Sequence, residues 1–169
     1  ECFLANRGTD GYIVWVIGPA MVHARGRGAM EWMIRNGFVH AVLTGNAVGV
    51  HDVEAALFGS TLGMRADGLG EAGGHAFHMR AINEVKKAGS IRALVEKGEV
   101  HSGIMPALTV TNTPYVLAGS IRDDGPLPET ITDALEAQGA MREHTAKATM
   151  VVMVATALGA QQATPPAAS

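Results

Sequence analysis

A single cysteine, Cys2, is all the thiol this sequence holds. That excludes an internal disulfide and a thiolate metal cluster, and its terminal position makes it a poor nucleophile. Charge is also scarce. Charged residues make up 17% of the chain, the formal net charge is −3, and Lys86-Lys87 is the only adjacent basic pair. No basic stripe tracks a phosphate backbone, so no nucleic-acid partner is expected. Long apolar runs are missing as well. The longest, around Thr149 to Leu158, is followed by Gly159 and falls short of the roughly eighteen residues a membrane span needs. No membrane partner is expected, and the cytoplasm is the default compartment. The chain starts at Glu1 and enters a strand almost at once, which reads as a piece of a longer protein.

What the chain does have is aliphatic mass: 47% of its 169 residues are hydrophobic. A chain of this size suits one domain that buries about two-thirds of its unfolded surface. Tyr12–Ile17 is a continuous apolar run of the kind found in a strand buried on both faces. Further strands are predicted at Phe38–Leu43, Pro114–Ala118 and Met150–Ala155. Helices are predicted at Gly28–Asn36, Val48–Phe58, His75–Ala88, from the Ser90 cap to Lys97, at Gly103–Asn112 despite Pro106, and at Glu129–Lys147. The glycine-rich stretch Thr61 to Gly74 reads as a flexible loop, and residues 159–169 as a flexible tail beyond a domain at 1–158. No internal repeat is visible. Strand alternating with helix predicts an α/β fold, Rossmann-like, with a mostly parallel sheet and helices on both faces.

In such a sheet, ligands bind beyond the carboxyl ends of the strands. The segments there are "GPAMVHARG", "TGNAVGVHD" and "GSIRDDGPLP". Each carries glycine and polar residues, and all three should converge on one edge, with Gly18, Gly45 and Gly119 in line. Each also has a plainer reading. "GPAMVHARGRG" lacks the spacing of a dinucleotide fingerprint, and Asn46 alone could be a left-handed turn residue. In the third segment, Arg122, Asp123 and Asp124 follow a buried strand, and Pro126 and Pro128 stiffen what comes next.

The histidines divide in the same way. His23 and His51 come just after strand ends, where a base would be needed. His40 falls within a predicted strand and reads as structural. His75 and His78 are three apart, but no third ligand stands at a recognised spacing, so no metal site is expected. The methionines at 30, 33, 150 and 153 read as core filling.

Four stretches carry a wider resemblance: "VIGPAMVHARG", "VLTGNAVGVHDVEAALFGSTLG", "GHAFHMRAIN" and "VLAGSIRDDGPLPE". From about Tyr12 to Leu158 the chain resembles the C-terminal NAD-binding part of the arginine dihydrolase/ornithine cyclodeaminase family. That region is also known as the lysine-oxoglutarate reductase/saccharopine dehydrogenase conserved domain. The resemblance implies a fold similar to the NAD-binding fold of deoxyhypusine synthase, NAD as cofactor, and conversion of L-ornithine to L-proline with release of ammonia. It also implies an upstream domain of the same protein and a homo-oligomer. The chain departs from the family where "ALGAQQATPPAAS" stands in place of a His-containing helix and a Gly-Asn-x-Leu-Pro ending. The family's preceding subdomain is not among these residues either. Little turnover is therefore expected of the 169 residues alone.

The implied reaction is redox-neutral overall: the cofactor takes and returns a hydride, while the protein positions groups and moves protons. Gly18, Pro19, Gly45, Asn46, Ala47, Gly119, Ser120, Ile121, Asp124 and Gly125 are the implied cofactor contacts. His51, Asp52, Arg122 and Asp123 are the candidate catalytic group. Arg122 suits a substrate carboxylate because its fork binds bidentately. Asp123 or Asp124 suits either a ribose diol or the δ-ammonium of ornithine. His51 and Asp52, one turn further along, either form the site or support it. Two alternatives remain open: an NAD-binding module without turnover of its own, and another NAD-dependent amino-acid or polyamine reaction.

Overall fold

The computed structural model describes residues 1–8, 10–61, 64–65, 74–121 and 123–154. In chain order the elements are α1 (Cys2–Asn6), β1 (Ile13–Ile17), α2 (Ala20–His23), α3 (Arg27–Arg35), β2 (Ala41–Gly45), α4 (Asn46–Phe58), β3 (Ser60–Thr61) and β4 (Met64–Arg65). They continue as α5 (Gly74–Ala88), α6 (Ile91–Glu96), α7 (Ile104–Thr111), β5 (Tyr115–Ala118), β6 (Thr130–Ile131), α8 (Ala134–Thr145) and β7 (Met150–Val154).

Five strands form one sheet in the order β6-β5-β2-β1-β7, and every pairing within it is parallel. Side chains alternate across β1. Ile13, Trp15 and Ile17 join one apolar cluster, and Val14 and Val16 another. The first cluster lies under α3 to α7, the second under α8. Helices therefore cover both faces, as expected, and all five residues of β1 are buried.

Local chemistry explains most boundaries. Ser90 caps α6 by accepting from Ala93 N at 2.9 Å, and Asp133 caps α8 by accepting from Leu135 N and Glu136 N. Pro106 falls in the first turn of α7, where its missing N–H costs nothing. The Gly59 cap ends α4 with φ +69°.

Three predicted segments differ. The strand expected at Phe38–Leu43 runs instead from Ala41 to Gly45, because Phe38–His40 is used sideways. The Phe38 ring stacks on Trp32, its carbonyl accepts from Trp15 Nε1, and His40 Nδ1 accepts from Ile13 N. The helix expected at Glu129–Lys147 is split, since Thr130 and Ile131 add a short strand beside β5 before Asp133 starts α8. Within the expected loop at 61–74, Thr61 and Met64 pair in a small antiparallel ladder. The rest of that loop, and the predicted tail at 159–169, lie outside the described residues.

Candidate functional site

Because the strands are parallel, their carboxyl ends share one edge. The registers Ile17↔Thr44 and Gly45↔Ala118 place Gly18, Gly45 and Gly119 in a row along it. Thr44 Oγ1 ties the first two strands there by donating to Ile17 O at 2.7 Å. The chain steps outward from β1 through β2, β5 and β6, then returns to place β7 on the other side of β1. That reversal is the switch point at which open α/β sheets bind ligands. Gly18 sits on it, donating its N–H to Val154 O at 3.1 Å, and Pro19 follows as the cap of α2.

From the middle of this edge α4 departs, with Gly45 as its N-cap and no side chain capping it. Asn46 and Ala47 form its first turn. A thirteen-residue helix that begins in this way presents N–H groups and the positive end of its dipole to the edge. The Asn46 side chain faces elsewhere. Its Nδ2 donates to Gly125 O at 3.1 Å, and its Oδ1 accepts from Leu127 N at 2.9 Å and Thr130 Oγ1 at 2.8 Å. Buried Leu127 packs beside Gly49, where an added Cβ would lie only 3.0 Å from Leu127 Cδ1. The stretch bearing Pro126 and Pro128 is therefore fixed on α4.

Upstream of that anchor, Gly119 N donates to Ile131 O at 2.8 Å, and Asp123 Oδ2 accepts from Ser120 N at 2.7 Å. The Asp123 carboxylate thus shapes its own turn. Ile121 at the tip is fully exposed. Arg122 lies outside the described residues.

Asp52 turns away from the edge. Fully buried, it accepts from Arg27 Nε at 2.6 Å, Ile104 N at 3.0 Å and Met105 N at 2.7 Å. It holds the start of α7 against α3 and α4, which makes it a support of the fold beneath the site.

His51, by contrast, belongs to a buried polar cluster that the sequence did not disclose. His51 Nδ1 lies 3.4 Å and His78 Nδ1 3.3 Å from the same oxygen, Glu54 Oε2. Glu54 is fully buried, and its Oε1 has no hydrogen-bond partner. Segments from the other two strand ends reach the cluster. The His23 ring meets the His51 ring edge-on at 4.7 Å, and Asp124 Oδ2 lies 3.6 Å from His78 Nε2. Burial would push the Glu54 carboxyl up, but hydrogen bonds and charge from His51 and His78 hold it below its ordinary value. Burial, reinforced by the charge of His51 and opposed by that of Glu54, lowers the pKa of His23. The one signal in the sequence was a second acidic residue, Glu54, following His51 and Asp52 in a mostly aliphatic helix.

The family model for the C-terminal Rossmann-fold domain of ArgZ-like arginine dihydrolases matches residues 3–164. The chain belongs to this family. It is 53% identical over 150 residues to an ornithine cyclodeaminase of Methanopyrus kandleri, covering 88% of this chain and 36% of that protein. A bifunctional arginine dihydrolase/ornithine cyclodeaminase of Synechocystis sp. is 42% identical over 153 residues, covering 90% of this chain and 22% of that protein. Among solved structures, the ternary complex of AgrE with ornithine and NAD⁺ superposes with a TM-score of 0.92 at 38% identity. It covers 97% of this chain and 25% of that one. The chain thus spans about a third or less of the length of these family members.

Proposed function

We propose that this chain is the NAD-binding part of a longer ornithine cyclodeaminase, which converts L-ornithine to L-proline and ammonia. The observation that carries the reading is the convergence of three strand-end segments on one edge, in a fold shared with a protein that binds ornithine and NAD⁺ together. The residues present fit the cofactor: the start of α4 has no side-chain cap, and glycines stand at the ends of β1, β2 and β5.

NAD, when bound, would supply the acceptor and later the donor of the Cα hydride. Gly18, Pro19, Gly45, Ala47, Gly119, Ser120 and Ile121 would line its path, with Asn46 and Gly125 fixing the wall of the cleft. Asp124 would reach a ribose diol or the substrate's δ-ammonium. His51 would take the proton from the α-ammonium, Arg122 would hold the carboxylate, and Asp123 would keep the turn begun at Ser120. Asp52 would act at one remove, by holding α7 and α4 around His51. The net change would be ring closure by the δ-amine with loss of ammonia, leaving the protein only protons to move.

The short span relative to its family members favours a second reading, a cofactor-binding module that turns over only with the rest of the protein. One assay separates the two: proline formation from ornithine, with and without NAD⁺, in the full-length protein and in these 169 residues. Arg122→Ala in the full-length protein should lower ornithine turnover roughly thirty-fold to several thousand-fold, with NAD⁺ affinity little changed. That is the effect of losing a charge-assisted bidentate contact worth about 2–5 kcal/mol. An equal fall in NAD⁺ affinity would move Arg122 to the cofactor. Unchanged kinetics would remove it from the site.

A further inference from the structure

The contacts of Glu54 do not look like optimised hydrogen bonds. Two imidazoles point the same ring nitrogen at one carboxylate oxygen, from 3.4 and 3.3 Å. A charge-assisted imidazole–carboxylate bond would close to about 2.7–2.9 Å. These two separations agree better with two edges of a coordination tetrahedron. Metal–nitrogen and metal–oxygen bonds of about 2.0–2.2 Å place neighbouring donors about 3.3–3.5 Å apart.

From this geometry we infer that His51, Glu54 and His78 form a site for a divalent transition-metal ion of the zinc or cobalt class. One donor atom from each residue lies within 4.8 Å of the other two. Two imidazoles and a carboxylate select such ions over magnesium or calcium, which prefer all-oxygen ligands. The fully buried carboxylate also keeps an oxygen, Oε1, with no partner. An ion bound through both carboxylate oxygens would engage Oε1 as well, which no hydrogen bond in the cluster does.

The surroundings fit as well. A metal-bound imidazole commonly gives its other N–H to a carboxylate, and Asp124 Oδ2 stands 3.6 Å from His78 Nε2. The three ligands come from the packed helices α4 and α5, so their positions are set by the core. Cys2 is the only thiol in the chain, and it contributes nothing here.

The inference stands apart from the ornithine reading but bears on it. An ion on His51 Nδ1 leaves that ring no free lone pair, so a filled site and a His51 base exclude each other. Titration of the chelator-treated full-length protein with ZnCl₂, followed by calorimetry, should show one equivalent bound with micromolar affinity or better. CoCl₂ should give the intense visible bands of a four- or five-coordinate ion.

His78→Ala and Glu54→Gln should each weaken zinc binding by about 100-fold or more, and Asp124→Asn by about 10–100-fold. His101→Ala, on the exposed surface, should leave it unchanged. Asp124 is half exposed, so its variant keeps the test decisive even where His78→Ala fails to fold. No binding at 100 μM zinc (roughly a hundred times the expected dissociation constant), or binding that all three site variants leave intact, would overturn the site. Binding that leaves ornithine turnover unaffected would uphold the site and remove His51 as the base.

Discussion

Asp52 and Glu54 stand two residues apart on α4, both fully buried, and differ in almost every other respect. Asp52 receives a guanidinium and two backbone N–H groups, at 2.6, 3.0 and 2.7 Å. Glu54 receives two imidazoles at 3.4 and 3.3 Å and leaves one oxygen with nothing. A buried carboxylate is costly unless its lone pairs are met. Asp52 meets that condition and serves the fold. Glu54 does not, and a fold-only role gives no reason to retain it. On the metal inference, the contrast separates a structural carboxylate from a ligand on a single helix.

Removal of the satisfied carboxylate should have the largest effect on stability. Asp52→Ala removes the carboxylate from Arg27 Nε and from the two N–H groups at the start of α7, at a cost of about 3–5 kcal/mol. For a chain of this length that is a melting-temperature drop of roughly 6–20 °C. A drop of only a degree or two would mean that Asp52 does not anchor α7.

Asn46→Ala comes next. It leaves the buried Leu127 N–H without its acceptor, at a cost of about 1–3 kcal/mol. The damage should stay local, with amide exchange at Leu127 and Thr130 accelerating before that of β1. Uniform acceleration through the sheet would show that the anchored loop and the core open as one unit.

Glu54→Gln should reverse the pattern. Gln keeps the shape and gives up only long contacts, so the change in stability should stay within about 1 kcal/mol. Zinc binding and, with a His51 base, ornithine turnover should fall far more than stability does. A loss of stability as large as that of Asp52→Ala would abolish the contrast and make Glu54 a structural residue.

The degree to which all this was legible in the sequence follows the range of the interactions. Parallel strands are continuous apolar runs, so the buried β1 and β5 and the more exposed edge strand β7 could be read within a residue or so. Their parallel order put Gly18, Gly45 and Gly119 on one edge before any coordinates. β6 was hidden because two residues, Thr130 and Ile131, carry no periodicity and precede a real helix. Asn46 could be noticed as unusual, but its partners stand 79 to 84 residues away. The pairing of Glu54 with His78 was invisible for the same reason. His78 looked like a partner of His75, its neighbour in sequence, whereas helix packing turns it toward α4.

The smallest predicted effect concerns a polar contact that is satisfied in only one protonation state. His40 Nδ1 accepts from Ile13 N at 3.0 Å, at the start of β1, and can do so only without a proton there. Burial lowers its pKa from the ordinary value of 6.5. Below that value the unfolded chain binds a proton that the folded chain resists, so stability rises with pH across this window. The contribution is complete above about pH 6.5 and is lost as pH falls from there toward the lowered folded value. His23 and His144, also lowered chiefly by burial, add slopes of the same sign. His40→Asn supplies an oxygen in nearly the same place as Nδ1 and does not titrate. Its melting temperature should therefore fall less than that of the wild type between pH 7.5 and pH 5.5. Equal falls in the two proteins would show that the Ile13 contact survives protonation, and would assign the acid sensitivity to the other histidines.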